Sequence, residues 1–145
     1  MSDQSVHFPI GLTGEATAEV VPELTARHLG SGTVSVFATP EMVRLMERAA
    51  VNALKPHLAT GQQSVGTLVN VRHLAATPVG ATVTAKAELT AVDGRRLTFN
   101  VTAHDGTDLI GEGTHERALI DLARFEAKVK AKASSAILSE DGATH

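Results

Sequence analysis

Glu47 stands inside the stretch PEMVRLMERAAVNALKPHL, where Val43, Arg44, Ala50 and Val51 lie three or four residues away on either side. On a helix those residues are its surface neighbours, so the carboxylate falls in a mostly apolar arc. An unpartnered carboxylate is costly there, and burial favours its protonated form. A glutamate so placed is a candidate acid, base or nucleophile. The plainer alternative is a flanking glutamate paired with Arg44 or Arg48. Thr39 precedes Pro40 and reads first as a helix N-cap, with Pro40 at the first helical position. A helix start also presents unpaired N–H groups able to hold an oxyanion. His73 shares one face of a strand-like run with Val65, Thr67, Val69 and Val71, and its plain reading is a hydrogen-bonded core histidine. Gly66 in the same run marks a bulge or a close backbone approach, made either by a substrate or by a helix.

The elements that must position these residues follow from periodicity. Residues 14–21 alternate as a first strand, and Pro22 closes it. The segment from Glu23 to Phe37 carries Gly30, Ser31 and Gly32 and reads mostly as loop, with a short strand in TVSVF. The central helix begins at Thr39 and ends near Lys55, ahead of Pro56. On it, Glu41, Arg44, Arg48, Asn52 and Lys55 form a polar stripe, with Met42, Leu45, Met46, Ala49 and Ala53 on the far side. After Gly61 the period changes to two. Strands are expected over about 63–76, 81–92, 95–105 and 109–121, with hairpin signals at Asp93-Gly94 and Asp105-Gly106. The run LARFEAKVKAKA reads as a second helix. Residues 1–13 read as a flexible arm and 134–145 as a disordered tail, leaving one domain over 14–133. One long helix followed by an antiparallel meander buries both apolar faces only if the sheet wraps the helix. The expected class is α+β, in the layout of a hotdog fold.

Composition narrows the chemistry. The formal charge is −3, with no long run of one sign, and the only aromatics among Phe, Tyr and Trp are four Phe. Neither a nucleic-acid surface nor a membrane surface is expected. No stretch is long and apolar enough for a membrane span, and the first residues lack the basic and apolar regions of a signal peptide. There is no cysteine, which excludes disulfides, thiolate metal sites and a cysteine nucleophile, and which suits a cytoplasmic protein. His7, His28, His57, His73, His104, His115 and His145 are scattered, and none forms an HxH or HxxxH pair. No metal site is expected.

Taken in order, FATPEMVRLMERAA, SVGTLVNVRHLAATPVGATVTAKAEL and VDGRRLTFNVTAHDGTDLIGEGTHERALI resemble the fluoroacetyl-CoA thioesterase-like branch of the hotdog thioesterases, from about Glu15 to about Lys132. The resemblance implies hydrolysis of an acyl-CoA to a carboxylate and free coenzyme A. It implies a catalytic threonine, glutamate and histidine at Thr39, Glu47 and His73. It places Gly66 of the VGT segment near the thioester carbonyl and makes Arg117 of the GTHER segment a pocket or interface residue. The fluoroacetyl-specific members carry a bulky aromatic lid ahead of the central helix. Here that region is RHLGSGTVSVF, with Phe37 as its only aromatic and a candidate substrate contact. A broader short-chain acyl range is therefore expected. The branch also implies a homodimer with its site at the subunit boundary, and a sheet with two unclosed edges agrees with pairing.

A thioester is already activated, so no metal or redox cofactor is required. Glu47 would attack the carbonyl or activate water, His73 would move protons, and Thr39 would orient Glu47 or the water. Arg72, Arg95, Arg96 and Arg117 are candidates to meet coenzyme A phosphates. Two other functions remain. A hotdog hydratase or dehydratase would need an Asp and a His on one loop after the helix, and none occurs between Gly61 and His73. A non-catalytic acyl-CoA binding module would keep the pocket without using the Thr, Glu and His together.

Overall fold

A computed structural model describes residues 8–143, with side chains through residue 136. Strand β1 (Thr13–Glu19) leads through a single 3-10 turn and a short helix α1 (Ala26–Leu29) to the long helix α2 (Thr39–Leu54). Four strands follow: β2 (Gln62–His73), β3 (Thr82–Asp93), β4 (Arg96–His104) and β5 (Leu109–Asp121). Helix α3 (Leu122–Ala143) ends the described chain. The five strands form one antiparallel sheet in the order β1-β3-β4-β5-β2. β1 and β2 are its edges, so the chain between them crosses the sheet, and α2 makes that crossing. This is the helix wrapped by an antiparallel sheet that the periodicity predicts.

The core lies between α2 and the concave sheet face. Met42, Leu45, Met46, Ala49, Ala50, Ala53 and Leu54 of α2 are buried. They meet Val83, Ala85, Ala87 and Leu89 of β3 and Leu97, Phe99, Val101 and Ala103 of β4, every second residue of each strand. Three of these seven helix residues are alanines, and they let the backbones come close. At Gly14 of β1 an added Cβ would collide with the Ala49 carbonyl oxygen and the Ala53 backbone. Hairpins close the meander. Asp93 pairs with Arg96 across a two-residue turn in which Gly94 has φ 60°. Between β4 and β5, Asp105 accepts from the backbone N–H groups of Thr107 and Asp108, at 3.0 and 2.8 Å. It also accepts from the buried Thr77 hydroxyl at 2.8 Å, tying the segment after β2 to this hairpin.

Four local expectations change. The end of the expected N-terminal arm is fixed to the domain: Phe8 is buried, the Gly11 N–H donates to Leu89 O, and Leu12 O accepts from the Leu89 N–H. Residues 1–7 lie outside the described chain. The TVSVF segment forms only isolated bridges, Thr25 to Phe37 and Val36 to Pro78. Helix α3 continues past residue 133 to Ala143, so the disordered tail expected from 134 is helical over that span; the last two residues lie outside the description. Beyond Ser134-Ser135, Ala136, Leu138 and Glu140 are good helix formers, so the two serines do not end the helix. Finally, Thr39 is not the N-cap of α2. Ala38 holds that position with extended backbone and no side-chain bond, and Thr39 is the first helical residue.

Because the groups facing Gly14 are backbone atoms, they cannot rotate away. Gly14→Ala is expected to destabilise the fold by about 1–3 kcal/mol. Thr17→Ala, on the exposed side of the same strand, is expected to stay within about 0.5 kcal/mol of the parent in urea unfolding. Equal midpoints for the two variants would remove the close helix–strand contact from the account.

Candidate active site

Freed from capping, the Thr39 hydroxyl lies 2.7 Å from His73 Nδ1. The helix start and the last residue of β2 thus meet through one short hydrogen bond across 34 residues of sequence. His73 Nε2 is buried and has no hydrogen-bond partner among the described residues. Whichever tautomer is present, one ring nitrogen serves Thr39 and the other remains for a further group. Burial pulls the imidazole below the ordinary histidine value, with the Ala75 backbone opposing the shift. Neutral imidazole is therefore the resting form near pH 7. Thr39 and His73 line an open cleft of about 330 Å³ with Phe37, Val36, Ser31 and Leu74. Phe37 is 1% exposed, so it forms part of the cleft's floor.

Glu47 lies eight residues further along α2, a rise of about 12 Å from Thr39. Within one chain it is not brought to His73. Its carboxylate faces β2 and β5 instead. Glu47 Oε2 is 3.8 Å from Arg117 Nη1, and a Cβ added to Gly66 would sit 2.7 Å from the same oxygen. The plainer alternative, a pair with Arg44 or Arg48, is not formed: Arg44 reaches Glu41, at 3.8 Å. The glycine marks both things expected of it. The β2–β5 register slips between Gly66 and Leu68, leaving Thr67 as the extra residue of a bulge, and the close approach is made by the helix carboxylate.

Arg117 is held rigidly. Its Nε donates to Ser64 Oγ at 2.8 Å, its Nη2 donates to Ser64 O at 3.1 Å, and its Nη1 lies 3.2 Å from His115 Nε2. Arginine has only donors, so His115 Nε2 accepts. The proton of His115 then sits on Nδ1, which donates to Leu68 O at 2.8 Å. Burial lowers the proton affinity of His115 most; the Leu68 backbone and Glu47 oppose it, and Arg117 adds to it. Burial also lowers that of Arg117, with Glu47 opposing. Glu47 differs from its neighbours in exposure: its side chain is 40% accessible against 8% for Arg117. The ion pair thus has one buried and one open end.

Sequence reasoning counted His115 only among scattered histidines. The available signal was its spacing from Arg117, two residues along one strand and therefore on the same face. Of the four arginines considered for phosphate contacts, Arg117 is 6% exposed and committed inside the wall, so it is not a surface phosphate contact. Arg96 pairs with Asp93 in an exposed contact of 3.5 Å. Arg72 and Arg95 are exposed and form no ion pair among the described residues. Among those residues no group of three or more His, Asp or Glu side chains is arranged to hold a metal ion. No described helix is long and apolar enough to cross a membrane.

Comparison with known proteins places the fold and the family. A family model described as fluoroacetyl-CoA-specific thioesterase matches residues 20–123. The fluoroacetyl-CoA thioesterase of Streptantibioticus cattleyicolor is 53% identical over 119 residues, covering 78% of this chain and 86% of that protein. A solved structure of a fluoroacetyl-CoA thioesterase superposes with a TM-score of 0.81 at 48% identity, covering 87% of this chain and 98% of the other. A thioesterase superfamily member from Thermus thermophilus superposes at 0.83 with 32% identity, covering 89% and 96%. The wrapped helix is thus the hotdog fold, and the chain belongs to the fluoroacetyl-CoA-specific thioesterase family.

Proposed function

We propose that this enzyme hydrolyses short-chain acyl-CoA thioesters as a homodimer, each site drawing Thr39 and His73 from one copy and Glu47 from the other. The 2.7 Å Thr39–His73 bond, with the far imidazole nitrogen buried and unpartnered, carries the reading. A thioester hydrolase needs a group there that accepts or returns a proton. Membership of a thioesterase family supports the reaction type.

The second copy follows from the edge strand. β2 is an unpaired edge whose residues 66–70 are all exposed, including Leu68 and Val69. An exposed apolar edge invites a second strand. Antiparallel pairing of two β2 strands about an axis near Val69 would set residue 73 of one copy opposite the 64–66 segment of the other. That segment carries Gly66, against which Glu47 rests. One half of the chemistry would then meet the other across the axis, and the same contacts would repeat at the second site.

In the reaction, the thioester carbonyl lies beside Gly66. Glu47 takes a proton from an attacking water, or attacks the carbonyl itself to form an anhydride that water then hydrolyses. In the water route His73, neutral at rest, receives that proton and returns it to the thiolate as the C–S bond breaks; in the covalent route the thiolate takes its proton from solvent, and His73 takes one from the water that hydrolyses the anhydride. Thr39 fixes the ring that moves the proton, and backbone N–H groups at the start of α2 or beside Gly66 stabilise the oxyanion. Arg117, 3.8 Å away, orients Glu47. No metal or redox group is needed for this step, and a cysteine-free enzyme acting on coenzyme A thioesters suits the cytoplasm. The glycine-rich segment before α2 supports a range of short acyl groups, with fluoroacetyl-CoA as one candidate beside acetyl- and propionyl-CoA.

Release of free thiol from a panel of acyl-CoAs tests the activity. His73→Ala and Glu47→Ala are each expected to lower kcat/KM by about 10²–10⁴-fold. Parent-like turnover in both variants would remove these residues from the mechanism. The pH dependence has a defined sign. His73 must be neutral to act as a base, and burial lowers its pKa, so activity is present at neutral pH and is lost as pH falls through that lowered value. The acid limb of kcat/KM assigned to His73, by its disappearance in His73→Ala, is expected below about 6.5. A limb at or above that value would contradict the buried, neutral imidazole.

A further inference from the structure

The proposed chemistry leaves one buried titratable group unused. His115 is 1% exposed and stands in β5 two residues before Arg117. The Phe99 ring of β4 stacks on it, with centroids 6.2 Å apart. Its Nδ1 donates to Leu68 O, beyond the bulge at Thr67, so the imidazole joins β5 to the displaced part of β2. A Cβ built on Gly66 would lie 2.7 Å from Glu47 Oε2, 3.3 Å from His115 Cε1 and 3.4 Å from Arg117 Nη1. A carboxylate, an imidazole and a guanidinium therefore converge on the residue beside which the thioester carbonyl is placed.

Arg117 links the other two. Its Nη1 is 3.2 Å from His115 Nε2 and 3.8 Å from Glu47 Oε2, while Ser64 takes Nε and Nη2 on the far side of the fork. A guanidinium is planar, and Nη1 carries two N–H groups. With one of them accepted by His115, the second is left for the carboxylate. This holds only while Nε2 keeps a free lone pair. A protonated ring would set donor against donor and cation against cation inside a buried wall. Among the described residues, the charged groups facing the ring are Arg117 of its own strand and Glu47 of α2. β2 offers it the Leu68 carbonyl and β4 the Phe99 ring, neither of them charged. Burial holds its proton affinity below the ordinary histidine value; the Leu68 backbone and Glu47 oppose this, and Arg117 adds to it.

We propose that His115 is a positioning residue for Glu47: as neutral imidazole with its proton on Nδ1, it holds the Arg117 nitrogen that faces the carboxylate, and protonation of Nε2 releases that nitrogen. His115 acts through Glu47, so the role rests on the thioesterase reading. The hold is present at neutral pH and is lost as pH falls through the lowered value of His115, below about 6.5.

Two variants test the role. Glutamine offers an amide oxygen near the place of Nε2 but does not titrate, and leucine offers no acceptor. His115→Leu is expected to lower kcat by about tenfold to a hundredfold with KM near the parent value, while His115→Gln stays within about threefold of the parent kcat. The acid limb of kcat/KM in His115→Gln is expected to be shallower by one proton, which packing alone would not change. This limb decides the matter even where His115→Leu does not fold. Parent-like kcat in a folded His115→Leu, equal losses in both variants, or an unchanged limb in His115→Gln would overturn the positioning role and leave the thioesterase intact. Imidazole nitrogen NMR shifts of the substrate-free parent need no turnover. A proton on Nε2 of His115 at neutral pH would overturn the hold on Arg117. A proton on Nδ1, with no thioester turned over by the parent, would support that hold and overturn the thioesterase reading.

Discussion

The closeness of α2 to the sheet governs the geometry of the rest. At three places a glycine lets the two surfaces come close. Gly14 lies against the backbone of Ala49 and Ala53, Gly111 against the Met42 thioether, and Gly66 against the Glu47 carboxylate. The backbone contact at Gly14 fixes the depth of the helix, while the other two make room for side-chain ends that can move. Rotation decides where Thr39 and Glu47 point, because residues of a helix turn together. The first two contacts are purely steric. The third joins packing to chemistry, since the absence of a side chain at Gly66 is what lets a carboxylate rest on the sheet.

Around that carboxylate the polar groups form an ordered chain. Leu68 O fixes the tautomer of His115, His115 Nε2 receives Arg117, Ser64 receives Arg117 on its other side, and Arg117 faces Glu47. Buried donors and acceptors of this kind are costly when left unpaired, so the chain is strongly specified in geometry. It ends at a group open to solvent. At the other end of the helix the pattern is reversed: Thr39 is exposed, while His73 keeps a buried nitrogen with no partner. Two half-sites, each lacking what the other carries, are separated by about two helical turns within one chain. Dimerisation through β2 is the arrangement proposed to join them.

Much of this was legible in the sequence, and the exceptions have physical reasons. The period change after Gly61, the Asp-Gly turns and the apolar side of α2 were readable because local periodicity determines them. Gly66 was readable as a bulge because glycine inside a strand has few other uses. Thr39 was misread as a cap, since capping is a local preference and a histidine 34 residues away competes for the same hydroxyl. The plainer reading of Glu47, a pair with Arg44 or Arg48, fails for the same reason: sequence proximity suggests a helix-surface pair, while the buried guanidinium that faces it, Arg117, comes from β5, next to the edge strand β2. His115 was passed over because its role depends on cross-strand register, which one sequence does not display. The grouping of Thr39, Glu47 and His73 came from family resemblance; the single chain unites only Thr39 and His73.

Subunit complementation tests the composite site most directly. His73→Ala and Glu47→Ala homodimers, each nearly inactive, are unfolded together and refolded as a one-to-one mixture. If each site takes His73 from one copy and Glu47 from the other, half of the dimers are mixed and each has one intact site. Activity should then recover to about a quarter of the parent value. A mixture that forms heterodimers, verified by mass, yet stays as inactive as its components would contradict a site shared between subunits.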